Sequence, residues 1–426
     1  MSLPSNIAAI LFGPRDVRTE ERPIWRPTPG EAQVKVVATG LCGSDLHYYS
    51  DARNGDFVVR APLVLGHEAS GIVTAISPGV TNLKVGQRVA IEAGINCRSC
   101  PLCQKGRYNL CKEMRFCSSA SRYPHVDGTL QARFNHPAYV LHPLPDNVSF
   151  ELAALAEPLS VLIHASRRIG LLPPRLTSYL PSSSASNQSI LVFGVGTIGL
   201  LACALAKHQG AKRVVAIDIK PARLEFAKQN GFADDVFCVP APDDVVSAYQ
   251  PDACCSIPTK TPGQSVPLSK SHSHSHPPPA QAAEDILRKA QIGAMEILSA
   301  FGAPEGFDIV FECTGSESAI QMSVFAATAG GRVMLIGMGT KNAYLPLSTA
   351  ALREVDIFGS FRYANTYPEA IALLSAKSPL PKMVAKLVTH RFKLGSTQKA
   401  FEMLERGFDD NGGLVLKVMV GSGIPC

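Results

Sequence analysis

The chain has no apolar run that approaches the length of a bilayer-spanning helix, and no block of five like charges. The first absence argues against a membrane span. The second, with a net charge of only +6, argues against a nucleic-acid patch or a polybasic membrane anchor. Charged residues are scarce at 18%, while 46% are hydrophobic, which suits packed cores and excludes a chain disordered throughout. The opening stretch, MSLPSNIAAILFGPRDVR, lacks a basic start followed by a continuous apolar segment. It reads as the first strand of a fold and not as a signal peptide. Without a secretory signal, the twelve cysteines read as reduced thiols, metal ligands or buried apolar residues, and not as a disulfide framework. A cytoplasmic location is the expectation.

What is present divides into two patterns. At roughly 100–200 residues per domain, 426 residues predict two or three domains. Over the first 150, short strands such as AQVKVVAT, GIVTAI and QRVAIEA are punctuated by Gly, Pro and Asn, a β-rich arrangement. From Glu151 onward strands alternate with helices: SILVFGVG, TIGLLACALAKHQG, RVVAID, PARLEFAKQNG, FDIVFECTG, RVMLIGMG. That alternation predicts an α/β fold, a doubly wound parallel sheet with helices on both faces. The C-terminal KLVTHRFKLGSTQKAFEMLERG and GGLVLKVMV return to strand, helix, strand, and are expected to pack back on the first domain, making it discontinuous. The expected boundaries are 1–158 for the β-rich domain, 159–362 for the sheet domain, and 363–426 for the returning segment. Two stretches, 172–189 and 240–280, are rich in Ser and Pro and read as inserts. The HSHSH run in the second reads as a solvated linker that binds metal only adventitiously.

ILVFGVGTIG carries Gly194, Gly196 and Gly199 in a G-x-G-x-x-G frame after an apolar strand and before a helix, the context a dinucleotide site requires. Asp218 ends the next strand, where a carboxylate accepts hydrogen bonds from the ribose hydroxyls and repels a 2′-phosphate. NAD is therefore expected in preference to NADP.

CRSCPLCQKGRYNLC places Cys97, Cys100, Cys103 and Cys111 at spacings that can wrap a tetrahedral zinc. An iron–sulfur cluster or a chance grouping of buried cysteines are the other readings. Four thiolates leave no vacancy for substrate, so this set reads as a brace away from the reaction. TGLCGSDLHYY with Cys42 and LVLGHEASG with His67 and Glu68 offer a second donor group, in a pattern that is not the H-E-x-x-H of zinc peptidases. Taken singly, Cys42 reads equally as a small buried apolar residue, and His67 beside Glu68 as a hydrogen-bonded pair.

In their order along the chain, GLCGSDLHYY, LGHEASG, the four-cysteine stretch, AEPLSV and GVGTIG resemble the zinc-containing medium-chain dehydrogenases, and among these the polyol (sorbitol and xylitol) dehydrogenases. The likeness covers nearly the whole chain apart from the inserts. It implies a β-rich GroES-like catalytic domain beside a Rossmann NAD domain. It implies one catalytic zinc on Cys42, His67 and Glu68 or Glu157, and one structural zinc on the four cysteines. Pro158 is expected to hold Glu157 out of helical conformation, at a break. Ser44 and His47 match the proton relay, although a surface histidine looks the same in sequence. Tyr48, Glu157, Arg362 and Tyr363 match polyol contacts; Arg362 reads equally as a surface ion-pair partner and Tyr363 as a half-buried core ring. Ile198, Asp218, Arg223, Ile336, Gly337, Met338, Phe361 and Arg362 match cofactor positions. The implied activity is zinc-dependent, NAD-linked interconversion of a sugar alcohol and its ketose, in a homotetramer. L-arabinitol, another secondary alcohol or threonine is the alternative substrate, and a silent NAD- and zinc-binding relative the alternative class. Deleting the 240–280 insert is expected to leave the Michaelis constant for NAD within a few-fold.

Overall fold

The computed structural model describes residues 5–171, 187–240 and 279–421. The central strand of the β-rich part is Glu31–Gly40, whose Ala32, Val34, Val36 and Ala38 are buried at the period of two that a sheet with one covered face demands. Around it the order is Leu141–Pro143, Arg88–Ile91, Glu68–Ile76, Glu31–Gly40, Lys417–Gly421, Val388–Lys393, with Arg133–Pro137 also on the central strand. The far end of the chain thus enters the first sheet: Met419 pairs with Gly40 and Val420 with Thr39.

Six parallel strands form the second sheet. Their spatial order is Asp235–Cys238, Arg213–Asp218, Ser189–Phe193, Phe307–Glu312, Ala327–Leu335, Asp356–Gly359. Numbered by sequence this is 3-2-1-4-5-6, with the reversal of strand order between Ser189–Phe193 and Phe307–Glu312. Ile190, Leu191, Val192 and Phe193 are all buried, as expected of a strand covered on both faces. Helix Thr197–His208 follows, and it ends where Gly210 turns left-handed at φ +77°. Ala211 N–H closes back to Ala206 C=O at 3.1 Å and Gly210 N–H to Lys207 C=O at 3.0 Å, the bond pattern of a Schellman stop.

Helix Ala156–Arg168 links the two sheets. Leu159, Leu162 and Ile163 are fully buried in a core that draws on both. Cutting Leu162 back to alanine there costs about 2–5 kcal/mol. Here one expectation is corrected. Glu157 is not at a break: it lies in the first turn of this helix, with Pro158 beside it. The first-turn N–H groups have no intrahelical acceptor, so the missing proline N–H is no loss there. The discontinuity is at Leu155, between helices Phe150–Ala154 and Ala156–Arg168. The inserts are also narrower than expected. Ser189 opens a sheet strand, and residues 279 and 280 open helix Pro279–Ala300. The HSHSH run, with the rest of residues 172–186 and 241–278, lies outside the described residues.

Candidate active site

Cys42 caps the N-terminus of helix Gly43–Asp51, and Glu68 opens strand Glu68–Ile76 directly after His67. These turns bring one ligand atom each from Cys42, His67 and Glu68 to within 4.8 Å of one another. His67 and Glu68 are buried, at 5% and 1% exposure. His67 Nδ1 lies 3.3 Å from Asp45 Oδ1 and 2.9 Å from Ser118 Oγ, and the Ser118 hydroxyl donates to Asp45 Oδ1 at 2.9 Å. With Nδ1 so engaged, Nε2 is left as the ligand atom, in the carboxylate–histidine arrangement that orients metal-binding imidazoles. Asp45, fully buried, also accepts from the N–H groups of Gly66 (3.2 Å) and Cys42 (3.3 Å). Burial alone raises a carboxyl; the His67 charge and hydrogen bond, then Gly66 and Ser118, outweigh it and hold Asp45 below the ordinary carboxylate range. Sequence reading missed Asp45 and Ser118, although the C-x-x-D spacing puts Asp45 at the first turn of a helix whose cap is Cys42.

Glu157 stands outside this tight set but close enough to interact with the charges of His67 and Glu68. Burial pushes its carboxyl up to about 7 and the Glu68 charge adds to the rise, while His67, Lys417 and Arg362 oppose it. Lys417 was also missed. It comes from the last described strand, donates to both Glu68 oxygens at 2.8 and 2.7 Å and to Leu41 C=O at 2.9 Å, and leaves no local sequence signal.

The remaining expected residues fall into three groups. Ser44 Oγ is 3.5 Å from His67 Nε2, whereas His47 on the same helix is exposed. Tyr48 is buried, its hydroxyl accepting from Ala120 N–H at 3.1 Å. Arg362 stacks its guanidinium 3.8 Å from the Phe116 ring centre, and the Phe116 ring lies 5.5 Å from that of His67. One aromatic ring therefore separates Arg362 from the donor set. Tyr363 is 2% exposed, and its hydroxyl has no hydrogen-bond partner among the described residues.

At the dinucleotide motif, Gly194 adopts φ +83°, a turn open to glycine, and Gly196 caps helix Thr197–His208. A Cβ on Gly199 would stand 1.8 Å from Gly194 O, so only glycine permits that helix–strand approach. Asp218 accepts from Val195 N–H (2.8 Å) and Lys220 N–H (2.9 Å), and Arg223 lies 3.9 Å away. Ile198, one residue into the helix, packs partly against the core. Ile336, Gly337 and Met338 follow strand Ala327–Leu335, and Phe361 follows Asp356–Gly359. All these positions thus gather at the carboxyl ends of the parallel strands, where open α/β sheets take their ligands.

The four-cysteine stretch also converges. Sulfur separations are 3.8 Å for Cys97–Cys103 and Cys100–Cys111, and 3.5 Å for Cys100–Cys103 and Cys97–Cys111. Bonds of ~2.3 Å at tetrahedral angles require about 3.8 Å between sulfurs, so the set fits zinc. Backbone N–H groups of Cys100 and Ser99 pull the Cys97 thiol down to about 6, while burial and the neighbouring thiols push Cys103 up to about 12. The Cys42–His67–Glu68 group, a soft thiol, an oriented imidazole and a carboxylate, fits the same ion with a position left for another ligand.

Comparison with known proteins agrees with this picture. Residues 28–146 match the family described as Alcohol dehydrogenase GroES-like domain, and residues 197–252 and 282–376 match Zinc-binding dehydrogenase. Sorbitol dehydrogenase of Homo sapiens is 38% identical over 419 residues, covering 98% of this chain and 96% of that protein. The Gallus gallus sorbitol dehydrogenase is 39% identical, covering 94% of each. Among solved structures, L-idonate 5-dehydrogenase of Escherichia coli superposes with a TM-score of 0.73 at 25% identity, covering 98% of this chain and 99% of that one.

Proposed function

The chain belongs to the zinc-binding dehydrogenases with an alcohol dehydrogenase GroES-like domain, and from that membership we propose that it interconverts a polyol, sorbitol or xylitol, and the 2-ketose with NAD. The observation that carries the reading is the meeting of Cys42, His67 and Glu68 within 4.8 Å, one aromatic ring from Arg362. Zinc held there supplies a Lewis acid that acidifies the substrate hydroxyl, and NAD held along the strand ends supplies the hydride acceptor.

The chain's own residues then have distinct tasks. Cys42, His67 and Glu68 hold the metal, and Asp45 and Ser118 fix the imidazole that does so. Glu157, buried near the set, offers a carboxyl to the substrate hydroxyl or to a water at the position left open. Ser44, beside His67 Nε2, takes the hydroxyl proton toward solvent, and His47 on the exposed side of that helix receives it. Arg362, Tyr48 and the unpaired hydroxyl of Tyr363 bind the remaining hydroxyls of a polyol. Asp218 selects NAD through the ribose, with Arg223 alongside. The four cysteines hold the second zinc.

Two further readings accompany this one. Strand Asp356–Gly359 ends its sheet, and Leu352 and Leu347 nearby are 87% and 66% exposed. That apolar rim supports a homo-oligomer of polyol-oxidising subunits. The described cysteines are all free thiols, which suits a reducing cytoplasm; among the described residues no helix is long and apolar enough to cross a membrane.

The test is NADH formation from sorbitol, xylitol, L-arabinitol and threonine, with NAD and NADP side by side, together with zinc content. Turnover of a polyol with NAD and two zinc ions per chain is the expected result. No turnover of any polyol, or full turnover after chelation, overturns it.

A further inference from the structure

The four-cysteine stretch does more than brace itself. The residues between its third and fourth thiols, Cys103 and Cys111, reach across to the segment that carries Arg362. Asn109 Nδ2 donates to Phe361 C=O at 2.9 Å. The Asn365 N–H donates to the Tyr108 hydroxyl at 2.9 Å, and Asn365 Nδ2 donates to Gly106 C=O at 2.7 Å. Tyr108 in turn donates to Glu92 Oε1 at 2.6 Å, and the other Glu92 oxygen meets His142 Nε2 at 2.7 Å. Tyr108 is thus pinned from behind by a carboxylate only 4% exposed, and Asn109 is 3% exposed.

The segment held in this way is one that would not hold itself. Arg362 has φ +51° and Asn365 φ +57°, two left-handed residues within four positions, neither a glycine. Such conformations are uncommon for residues with a side chain and persist where the surroundings impose them. The three bonds from residues 106, 108 and 109 bracket Arg362 on both sides, at Phe361 and at Asn365. Phe116, five residues after Cys111, supplies the ring on which the guanidinium lies.

We propose that the four-cysteine lobe is a specificity device: its Gly106–Asn109 turn positions Arg362, and through it sets the affinity for substrates with several hydroxyls. Tyr108 and Asn109 are positioning residues, since neither is placed on substrate or on the donor set. The inference rests on the polyol reading for the part Arg362 plays. Zinc held by the four cysteines would fix the shape of the turn by tying Cys103 to Cys111, and the hydrogen bonds from the turn fix the segment that carries the arginine.

Two variants test it. Asn365→Gly keeps the left-handed backbone without penalty and deletes the side-chain tether; Asn109→Ala deletes the other side. For each, KM and kcat are measured with the best polyol and with 2-butanol, which has one hydroxyl. Zinc content is measured, as is amide hydrogen exchange over residues 358–366. The expected result is a polyol KM raised about fivefold to tenfold, the equivalent of one lost hydrogen bond. The expected kcat and zinc content stay within about twofold, kcat/KM for 2-butanol is unchanged, and exchange over 358–366 quickens, with none over the Cys42–Asp51 helix. Equal losses on both alcohols, or unchanged exchange in both variants, overturn the proposal. If the unaltered protein oxidises no polyol, the polyol reading fails by itself, and the exchange measurement still decides whether the lobe holds the Arg362 segment.

Discussion

Lys417 and Glu68, 349 residues apart in the chain, form a buried ion pair at the wall of the donor set, with Nζ 2.8 and 2.7 Å from the two carboxylate oxygens and side chains 3% and 1% exposed. Burial alone would lower the lysine; Glu68 outweighs it and keeps the ammonium charged. The pair ties the last described strand to the first residue of the strand that follows His67. Removing one partner leaves a buried charge uncompensated, which costs about 3–5 kcal/mol. Lys417→Met is therefore expected to lower stability by that amount in urea denaturation of metal-free protein. Glu68→Gln combined with Lys417→Met recovers most of it. The loss is smaller in zinc-loaded protein, where the freed carboxylate has another cation to meet. An unchanged urea midpoint in the single variant would refute the pairing.

Asp45 is outside the donor set, yet by engaging His67 Nδ1 it settles which nitrogen of that ring is left for a metal. Asp45→Asn keeps the shape and can present an amide N–H where Nδ1–H needs an acceptor. Zinc affinity at the Cys42 site is expected to fall about 10–100-fold, as for other outer-shell partners of metal-binding histidines. Competition with a chromophoric chelator reads this directly. The four-cysteine site, which Asp45 does not touch, should retain its ion and serves as the internal control.

Much of this was legible in the residues, for physical reasons. The parallel sheet announced itself because fully covered strands must be continuously apolar, as in Ile190–Phe193, and because glycine is required where Gly199 meets Gly194. That Cys42 and His67, and the four cysteines, were worth examining as donor groups was visible because residues able to bind a metal are few in kind, and both groups do converge in the fold. What stayed hidden was long-range. Lys417 is one lysine among many until the last strand pairs with Glu31–Gly40. Tyr108 meets Asn365 and Asn109 meets Phe361 across separations of 257 and 252 residues. The expectation at Glu157 failed because the bias that proline imposes on its predecessor is weaker than the packing of a buried helix start.

Asp218 accepts two backbone N–H groups, from Val195 in the glycine turn and from Lys220, so its carboxylate is fixed before any ribose arrives. Asp218→Ser removes the charge that repels a 2′-phosphate and leaves Arg223, now 3.9 Å from that carboxylate, to receive one. The preference for NAD over NADP, read as the ratio of kcat/KM values, is expected to shrink about 100-fold, from lost ribose bonds and lifted repulsion together. A preference that survives the substitution would move the discrimination elsewhere.

His136 gives the fold a pH limit that is independent of the zinc chemistry. It is 1% exposed, its Nε2 bonds to Glu92 C=O at 2.8 Å, and burial lowers its pKa to about 4. In the unfolded chain an imidazole titrates near 6.5, so between these values the unfolded state binds the extra proton and the folded state does not. Stability contributed by the neutral ring is therefore complete above about pH 6.5 and is lost as pH falls toward 4, by about 3 kcal/mol in all. His136→Gln keeps a side-chain N–H for the Glu92 carbonyl and has nothing to titrate. Urea unfolding of both proteins from pH 7.5 to 4.5 isolates the term, because every other acid-sensitive group, the four-cysteine site included, is common to the two. The stability difference between them is expected to shift in favour of the glutamine variant as pH drops through 6. If the two curves stay parallel over that range, His136 is protonated in the folded state and the account of its burial is wrong.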